Sequence, residues 1–165
     1  MIINKNISVN APADKVWELV WNQFGQVCDW ASTVNQSGDR EAFGSVKGRT
    51  CTSTWGEIDE IVESVDPDSM SFTYYADGLP SMMKKARSNW KVISTNRDTS
   101  TISAHMEIEF ARLPGFFMGW MMKPKMRKDI DQTFKDLKQF IETGKKTESK
   151  IKSDLKFFKK QKNAA

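Results

Sequence analysis

A long apolar stripe runs through residues 124–143, PKMRKDIDQTFKDLKQFIET, and it constrains the fold more than any other feature. Apolar residues recur there every three or four positions, as they do on one face of a helix: Met126, Ile130, Phe134, Leu137 and Ile141. Pro124 suits the first helical position, and Gly144 suits the position after the last. Because such a helix spans about 30 Å, its stripe requires a broad apolar partner.

The opposite face of this helix is predicted to face water, because it carries charged residues: Lys125, Arg127, Lys128, Asp131, Lys135 and Asp136.

The apolar partner is predicted to be an antiparallel sheet with one apolar face. Short alternating runs predict strands at 2–9, 33–37, 45–53, 56–65, 69–77, 86–96 and 99–110. Turn residues such as Ser37-Gly38-Asp39 and Asp66-Pro67-Asp68 separate the runs. Connections this short join antiparallel neighbours.

Two short helices are predicted between the first two strands, one over 13–24 and one around Val27 and Trp30. The element order therefore predicts an α+β domain over residues 1–144. In it, a curved antiparallel sheet of about seven strands wraps around the long C-terminal helix.

Residues 145–165 form a basic tail, with eight lysines against Glu148 and Asp154, a net charge of +6. Since the whole chain carries +4, residues 1–144 carry 4 − 6 = −2, so we expect no nucleic-acid partner. The tail is predicted to be disordered or a short amphipathic helix, because Ile151, Leu155 and Phe158 share helical spacing.

The composition argues against several classes of protein and of binding site. No segment approaches the roughly 20 apolar residues of a membrane span, and residues 1–9 do not resemble a signal peptide. We therefore expect a cytoplasmic protein. Cys28 and Cys51 are predicted to be reduced, buried thiols, with a single disulfide as the alternative. His105 is the only histidine and is predicted to face solvent. Because the sequence also has no metal-binding cluster and no phosphate-binding glycine loop, we expect no metal and no cofactor.

Several motifs, in this order, resemble one superfamily. They are ISVNAPADKVWELV at 7–20, GSVKGR at 44–49, the run 56–60 leading into Asp66-Pro67, Trp90, and LKQFIETG at 137–144. Together they resemble the START/birch-pollen-allergen-like superfamily, also called SRPBCC, in its polyketide cyclase/dehydrase-like branch. The resemblance implies a helix-grip fold with a deep cavity between the sheet and the last helix. It does not imply one activity, since members include lipid carriers, hormone receptors and aromatic-ring cyclases.

Arg49 and Glu60 match positions that are often charged in this branch, and they are predicted to lie on adjacent strands. A carboxylate inside an apolar cavity could act as a general acid or base. The alternatives are a cross-strand ion pair or two separate solvated charges.

The resemblance favours a ligand cavity over a filled core. The residues predicted to line it are Trp55, Phe72, Tyr74, Trp90, Met106 and Phe134. Aromatic side chains with a polar tip suit an amphipathic ligand. Methionine-rich segments could form a lid over the cavity mouth, through Met82, Met83, Phe117 and Trp120.

The segment 113–128 is the least ordinary in composition, because LPGFFMGWMM is followed by basic residues. It could plug the sheet, or it could contact a membrane together with the tail. We therefore expect a binding protein for a hydrophobic or amphipathic molecule, such as a lipid, isoprenoid or aromatic compound. The alternatives are a cyclase or dehydratase using Glu60, and a peripheral membrane lipid-transfer module.

Overall fold

One antiparallel sheet forms the body of the molecule. The structure, a computed structural model, describes residues 1–42, 46–81, 83–111 and 117–164. Seven strands lie in the order β1-β7-β6-β5-β4-β3-β2. Their bounds are β1 Ile2–Val9, β2 Val34–Ala42, β3 Val46–Ser53, β4 Gly56–Asp66, β5 Ser71–Asp77, β6 Met83–Asn96 and β7 Thr99–Phe110. The predicted curved antiparallel sheet is confirmed.

The connection between β1 and β2 is helical, as predicted, but it is irregular. Helix α1, Ala13–Trp17, continues as a π-helical turn, Glu18–Asn22, and a 3₁₀ segment follows at Phe24–Asp29. Val16, Val20 and Phe24 are buried in the main core.

Helix α2, Phe117–Thr143, lies against the inner face of the sheet. Its Phe134 ring stacks on Trp90 of β6, with 5.1 Å between centroids and 9° between planes. Leu137 and Ile141 are also buried in the main core. The predicted helix-grip arrangement, in which the sheet wraps around a long C-terminal helix, is confirmed.

The predicted start of α2 at Pro124 is wrong, because the helix begins at Phe117 and Pro124 lies inside it. A proline in a helix interior removes one backbone hydrogen bond, which a long packed helix tolerates. The predicted end is right, since Gly144 follows the helix with φ = 69°, a conformation that glycine adopts without strain.

The predicted turn at Ser37-Gly38-Asp39 is also wrong, because these residues lie inside β2 and pair with β3. The 3₁₀ segment packs closely over them. The Ser37 hydroxyl donates to the Gly25 carbonyl at 2.7 Å and accepts from the Cys28 amide at 3.0 Å. These tertiary bonds, with the pairing to β3, override the local turn signal.

Asp136 does not face water as predicted but is completely buried. Its carboxylate accepts hydrogen bonds from the Ser32 amide at 2.8 Å, the Gln132 side chain at 2.9 Å and the Thr147 hydroxyl at 2.5 Å. It therefore joins α2 to the segment before β2 and to the start of the tail.

The tail forms helix α3, Glu148–Ala164, which is one of the two alternatives predicted for it. A domain boundary at residue 144 stays a prediction. Within the described ranges, no helix is long and apolar enough to cross a membrane. Both thiols are free, with Cys51 buried and Cys28 half-buried.

Candidate functional site

A cavity of about 210 Å³ lies between the inner face of the sheet and α2. Most of its wall is apolar, and much of that apolar wall is aromatic. The larger apolar residues that line it are Trp30, Trp55, Ile58, Tyr74, Leu79, Met83, Trp90, Met106, Ile108, Met126, Ile130 and Phe134.

The cavity lies where two packed clusters meet. The main cluster includes Trp90 and Phe134, and the smaller one contains Ile3, Met83, Ile108 and Met126. Small side chains also line the cavity: Ala31, Ala76, Ala86 and Ser88. Protein interiors pack as densely as crystals, so small side chains at these positions leave volume that larger ones would fill.

Five of the six residues predicted to bind ligand line this cavity: Trp55, Tyr74, Trp90, Met106 and Phe134. The sixth, Phe72, is only 3% exposed and lies in the main core, with its ring edge-on to Phe24 at 5.8 Å. It is not among the cavity-lining residues. A role in binding for the other five stays a prediction.

The lid prediction falls mostly outside the described residues. Met82 is not described, and although Phe117 and Trp120 lie in α2, their side chains are not described. Met83 is the first residue of β6, is 8% exposed and packs with Ile108 and Met126. Met83 is therefore part of the cavity wall rather than of a loop above it.

A buried ion pair lies at one part of the wall. Arg49 of β3 and Glu60 of β4 are direct partners in the strand register, and the Arg49 Nε donates to Glu60 Oε2. Their side chains are 10% and 13% exposed, respectively. Of the alternatives left open by the sequence, the structure shows the cross-strand ion pair.

Further contacts fix the guanidinium of Arg49. Its Nη1 donates to the Phe24 carbonyl at 2.7 Å, and its Cζ lies 4.0 Å from the centre of the Phe24 ring. Burial opposes the charge of Arg49, but the attraction of Glu60, the smaller contributions of Cys51 and Tyr74, and the hydrogen bond to Glu60 together outweigh it and raise the pKa of the guanidinium. Arg49 therefore stays charged at every physiological pH.

The neighbouring titratable groups stay neutral. Burial, and then the negative charge of Glu60, raise the pKa of the Cys51 thiol to about 12. Burial and Glu60 likewise raise the pKa of the Tyr74 phenol above its usual value. At neutral pH Cys51 and Tyr74 therefore add no charge beside the Arg49–Glu60 pair.

Sequence reasoning missed several polar residues on the wall. Ser88 accepts a hydrogen bond from Trp90 Nε1 at 2.8 Å, and the Thr133 and Thr33 hydroxyls lie 3.0 Å apart. Ser88 lies two residues before Trp90 and so shares the inner face of β6 with it. The period of two that identified Trp90 could therefore have identified Ser88.

Lys125 of α2 lies over Trp55, which is at the β3–β4 turn. The Lys125 ammonium lies 4.0 Å from the centre of the Trp55 ring and 2.8 Å from Asp129. Asp129 also lines the cavity. This cation–π contact therefore joins α2 to the β3–β4 turn beside the cavity.

No group of three or more histidine, cysteine, aspartate or glutamate side chains in the described part of the chain could hold a metal ion. His105 lies on the exposed side of β7, with Nδ1 at 2.6 Å from the Asn4 side-chain oxygen.

Comparison with known proteins agrees with the fold. A protein-family model described as "Polyketide cyclase / dehydrase and lipid transport" matches residues 2–142. No curated protein matches the chain.

Three solved structures illustrate the likeness. The Zhui aromatase/cyclase from a Streptomyces species has a TM-score of 0.70 at 10% identity, with 89% of this chain and 99% of that chain covered. A START superfamily protein from Mycobacterium smegmatis has a TM-score of 0.67 at 12% identity, covering 85% and 96%. A norcoclaurine synthase mutant from Thalictrum flavum has a TM-score of 0.65 at 15% identity, covering 86% and 93%. At these identities the likeness shows the fold alone.

Proposed function

Because the chain belongs to the polyketide cyclase/dehydrase and lipid transport family, we propose that it binds a hydrophobic or amphipathic small molecule between its sheet and α2. Lipids, isoprenoids and aromatic compounds have the required chemistry. The observation that carries this proposal is a cavity with an aromatic wall and one buried ion pair.

The aromatic wall would supply the affinity. Burying apolar ligand surface contributes about 25 cal/mol per Å², before the costs of association are subtracted. Trp90 and Phe134, which already stack on each other, would contribute one flat side of the site. A ligand with a flat ring or a narrow chain would fit such a wall best.

The size of the cavity narrows the ligand class. Ligand pockets usually measure about 300–1,000 Å³, and this cavity measures about 210 Å³. The ligand is therefore a compact molecule, or one end of a longer chain enters the cavity.

The ion pair would orient the ligand. Arg49 and Glu60 form an ion pair on a wall that is mostly apolar. A ligand that places a hydroxyl or carbonyl beside this pair gains a hydrogen bond to a charged group, so it is favoured over a pure hydrocarbon.

The first test is native mass spectrometry of the purified protein, followed by organic extraction and identification of any bound compound. A co-purified lipid or aromatic compound supports the proposal. A second measurement titrates the uncharged fluorescent probe N-phenyl-1-naphthylamine into the protein.

Ala76→Met places a larger side chain in the cavity and should weaken probe binding. Thr95→Met, at an exposed position of β6, is the matched control and should leave it unchanged. Equal binding by both variants would contradict the proposal.

A second candidate function is a cyclase or dehydratase reaction, favoured by the position of Glu60 on the cavity wall. In that reaction Glu60 would move a proton, and Arg49 would hold its carboxylate in place. Incubation of the extracted compound with the protein, followed by mass spectrometry, should show conversion by the wild type and none by Glu60→Gln. Conversion by both proteins would exclude Glu60 from this role.

A further inference from the structure

Helix α3 carries three different faces. The first contacts the body of the protein, the second is apolar and exposed, and the third is rich in lysine. With about 100° between successive residues, these faces lie side by side around the helix.

The contacting face fixes α3 on β2. The Lys150 side chain is completely buried, and its Nζ donates to the Val34 carbonyl at 2.8 Å and to Asp154 at 2.6 Å. Further along the helix, the side-chain amide of Asn35 donates to the Ser153 hydroxyl at 2.8 Å. Because these bonds hold α3 in one orientation, the other two faces point away from β2.

The second face is an apolar stripe made of Ile151, Leu155 and Phe158. Their exposed fractions are 47%, 66% and 48%. Six large hydrophobic residues of the described chain are exposed, and three of them lie on this one helix. Single exposed apolar residues are ordinary, but a stripe at helical spacing indicates a binding surface.

The third face is basic and borders the stripe. Helix α3 contains six lysines and two acidic residues, Glu148 and Asp154. Asp154 forms ion pairs with Lys146 and Lys150. The other five lysines are exposed, and they are Lys152, Lys156, Lys159, Lys160 and Lys162. Residues 1–144, by contrast, carry a net charge of −2.

We propose that this face of α3 binds the surface of an anionic lipid bilayer. Ile151, Leu155 and Phe158 would enter the interface between headgroups and acyl chains, while the lysines contact the acidic headgroups. A helix with an exposed apolar stripe beside a lysine-rich face is the arrangement that lies in such an interface. The same charges disfavour a second copy of the chain, because two α3 helices would bring their lysines together.

The position of α3 connects this surface to the cavity. Lys150 is bonded to Val34, and Val34 lines the cavity. Docking through α3 would therefore place that side of the cavity near the bilayer. The docking proposal does not depend on which ligand the cavity holds.

The test uses the full chain and sedimentation with lipid vesicles. Wild type should sediment with vesicles of phosphatidylserine and phosphatidylcholine and stay in solution with pure phosphatidylcholine. Leu155→Ser/Phe158→Ser should reduce binding about tenfold or more. Each lysine near an anionic surface is worth about fivefold, so Lys156→Gln/Lys159→Gln/Lys160→Gln should reduce binding about a hundredfold.

Two control variants alter the same residue types on the sheet. Val65→Ser/Ile93→Ser removes two exposed apolar residues, and Lys84→Gln/Lys85→Gln/Lys91→Gln removes three exposed lysines. Both should bind vesicles like wild type, and circular dichroism should show every variant folded.

Three results would overturn the proposal. They are a wild type that stays in solution with both vesicles, equal binding to neutral and anionic vesicles, and controls that weaken as much as the α3 variants. Sedimentation velocity showing a dimer that Leu155→Ser/Phe158→Ser abolishes, without vesicle binding, would assign the stripe to a second copy instead. None of these results would affect the cavity proposal, because no cavity ligand takes part in the assay.

Discussion

Replacing Glu60 by glutamine should destabilise the protein through Arg49. The change keeps the size of the side chain but removes the negative charge beside a guanidinium whose side chain is only 10% exposed. Removing one partner of a buried ion pair costs about 3–5 kcal/mol. Arg49 keeps its bond to the Phe24 carbonyl and its contact with the Phe24 ring. We therefore expect the lower end, about 3 kcal/mol.

The assay is urea unfolding followed by tryptophan fluorescence. The midpoint should fall with an unchanged m-value, and the melting temperature should fall by about 6–12 °C for a chain of this length. Glu63→Gln is the matched control, because Glu63 pairs with Arg87 where the two side chains are 35% and 40% exposed. Exposed pairs contribute at most about 1 kcal/mol.

A double variant separates the charge from the packing. Arg49→Met/Glu60→Met removes both charges and fills similar volume, so it should cost less than Glu60→Gln alone. A loss below about 1 kcal/mol for Glu60→Gln, or an equal loss for Glu63→Gln, would refute the reasoning that Arg49 needs its partner.

Further predictions concern three other residues. Asp136→Ala leaves buried donors without an acceptor, so it should cost about 2–4 kcal/mol in urea unfolding and speed amide exchange in α3. Burial raises the pKa of the Cys51 thiol to about 12 from 9.0, so at about pH 8 iodoacetamide should modify Cys28 alone in the native protein, as read by mass spectrometry. The stability due to that neutral thiol is present below pH 9 and is lost as the pH rises toward 12, so Cys51→Ala should flatten the alkaline decline of the unfolding free energy. Lys125→Met removes the cation above Trp55 and should cost about 0.5–1 kcal/mol; a larger loss would indicate that Lys125 has a structural role beyond this contact.

The alternation of side chains predicted much of the fold. From Thr101 onward strand β7 alternates inward apolar and outward polar residues, and its predicted bounds of 99–110 agree with the structure. The stripe of α2 likewise predicted Phe134, Leu137 and Ile141 as buried. Such patterns are local. The spacing of apolar residues within one strand or helix is enough to show which of its faces is buried.

Local signals failed where distant residues decide the outcome. Ser37-Gly38-Asp39 is a turn by composition, yet it pairs with β3 and is covered by the 3₁₀ segment. Asp136 is charged and was expected in water. It is buried because the Ser32 amide and the Thr147 hydroxyl bond to it, and neither could be identified from the α2 pattern alone.

The sequence by itself determined the order of elements, their faces, the basic tail and the aromatic residues that face inward. Only the tertiary structure decided that Arg49 and Glu60 pair, because the pairing depends on the register between β3 and β4. It also decided that Trp90 lines the cavity while Phe72 is packed in the core. The space beside small residues such as Ala76 arises from how the sheet and α2 fit together, and no residue's local pattern encodes that fit.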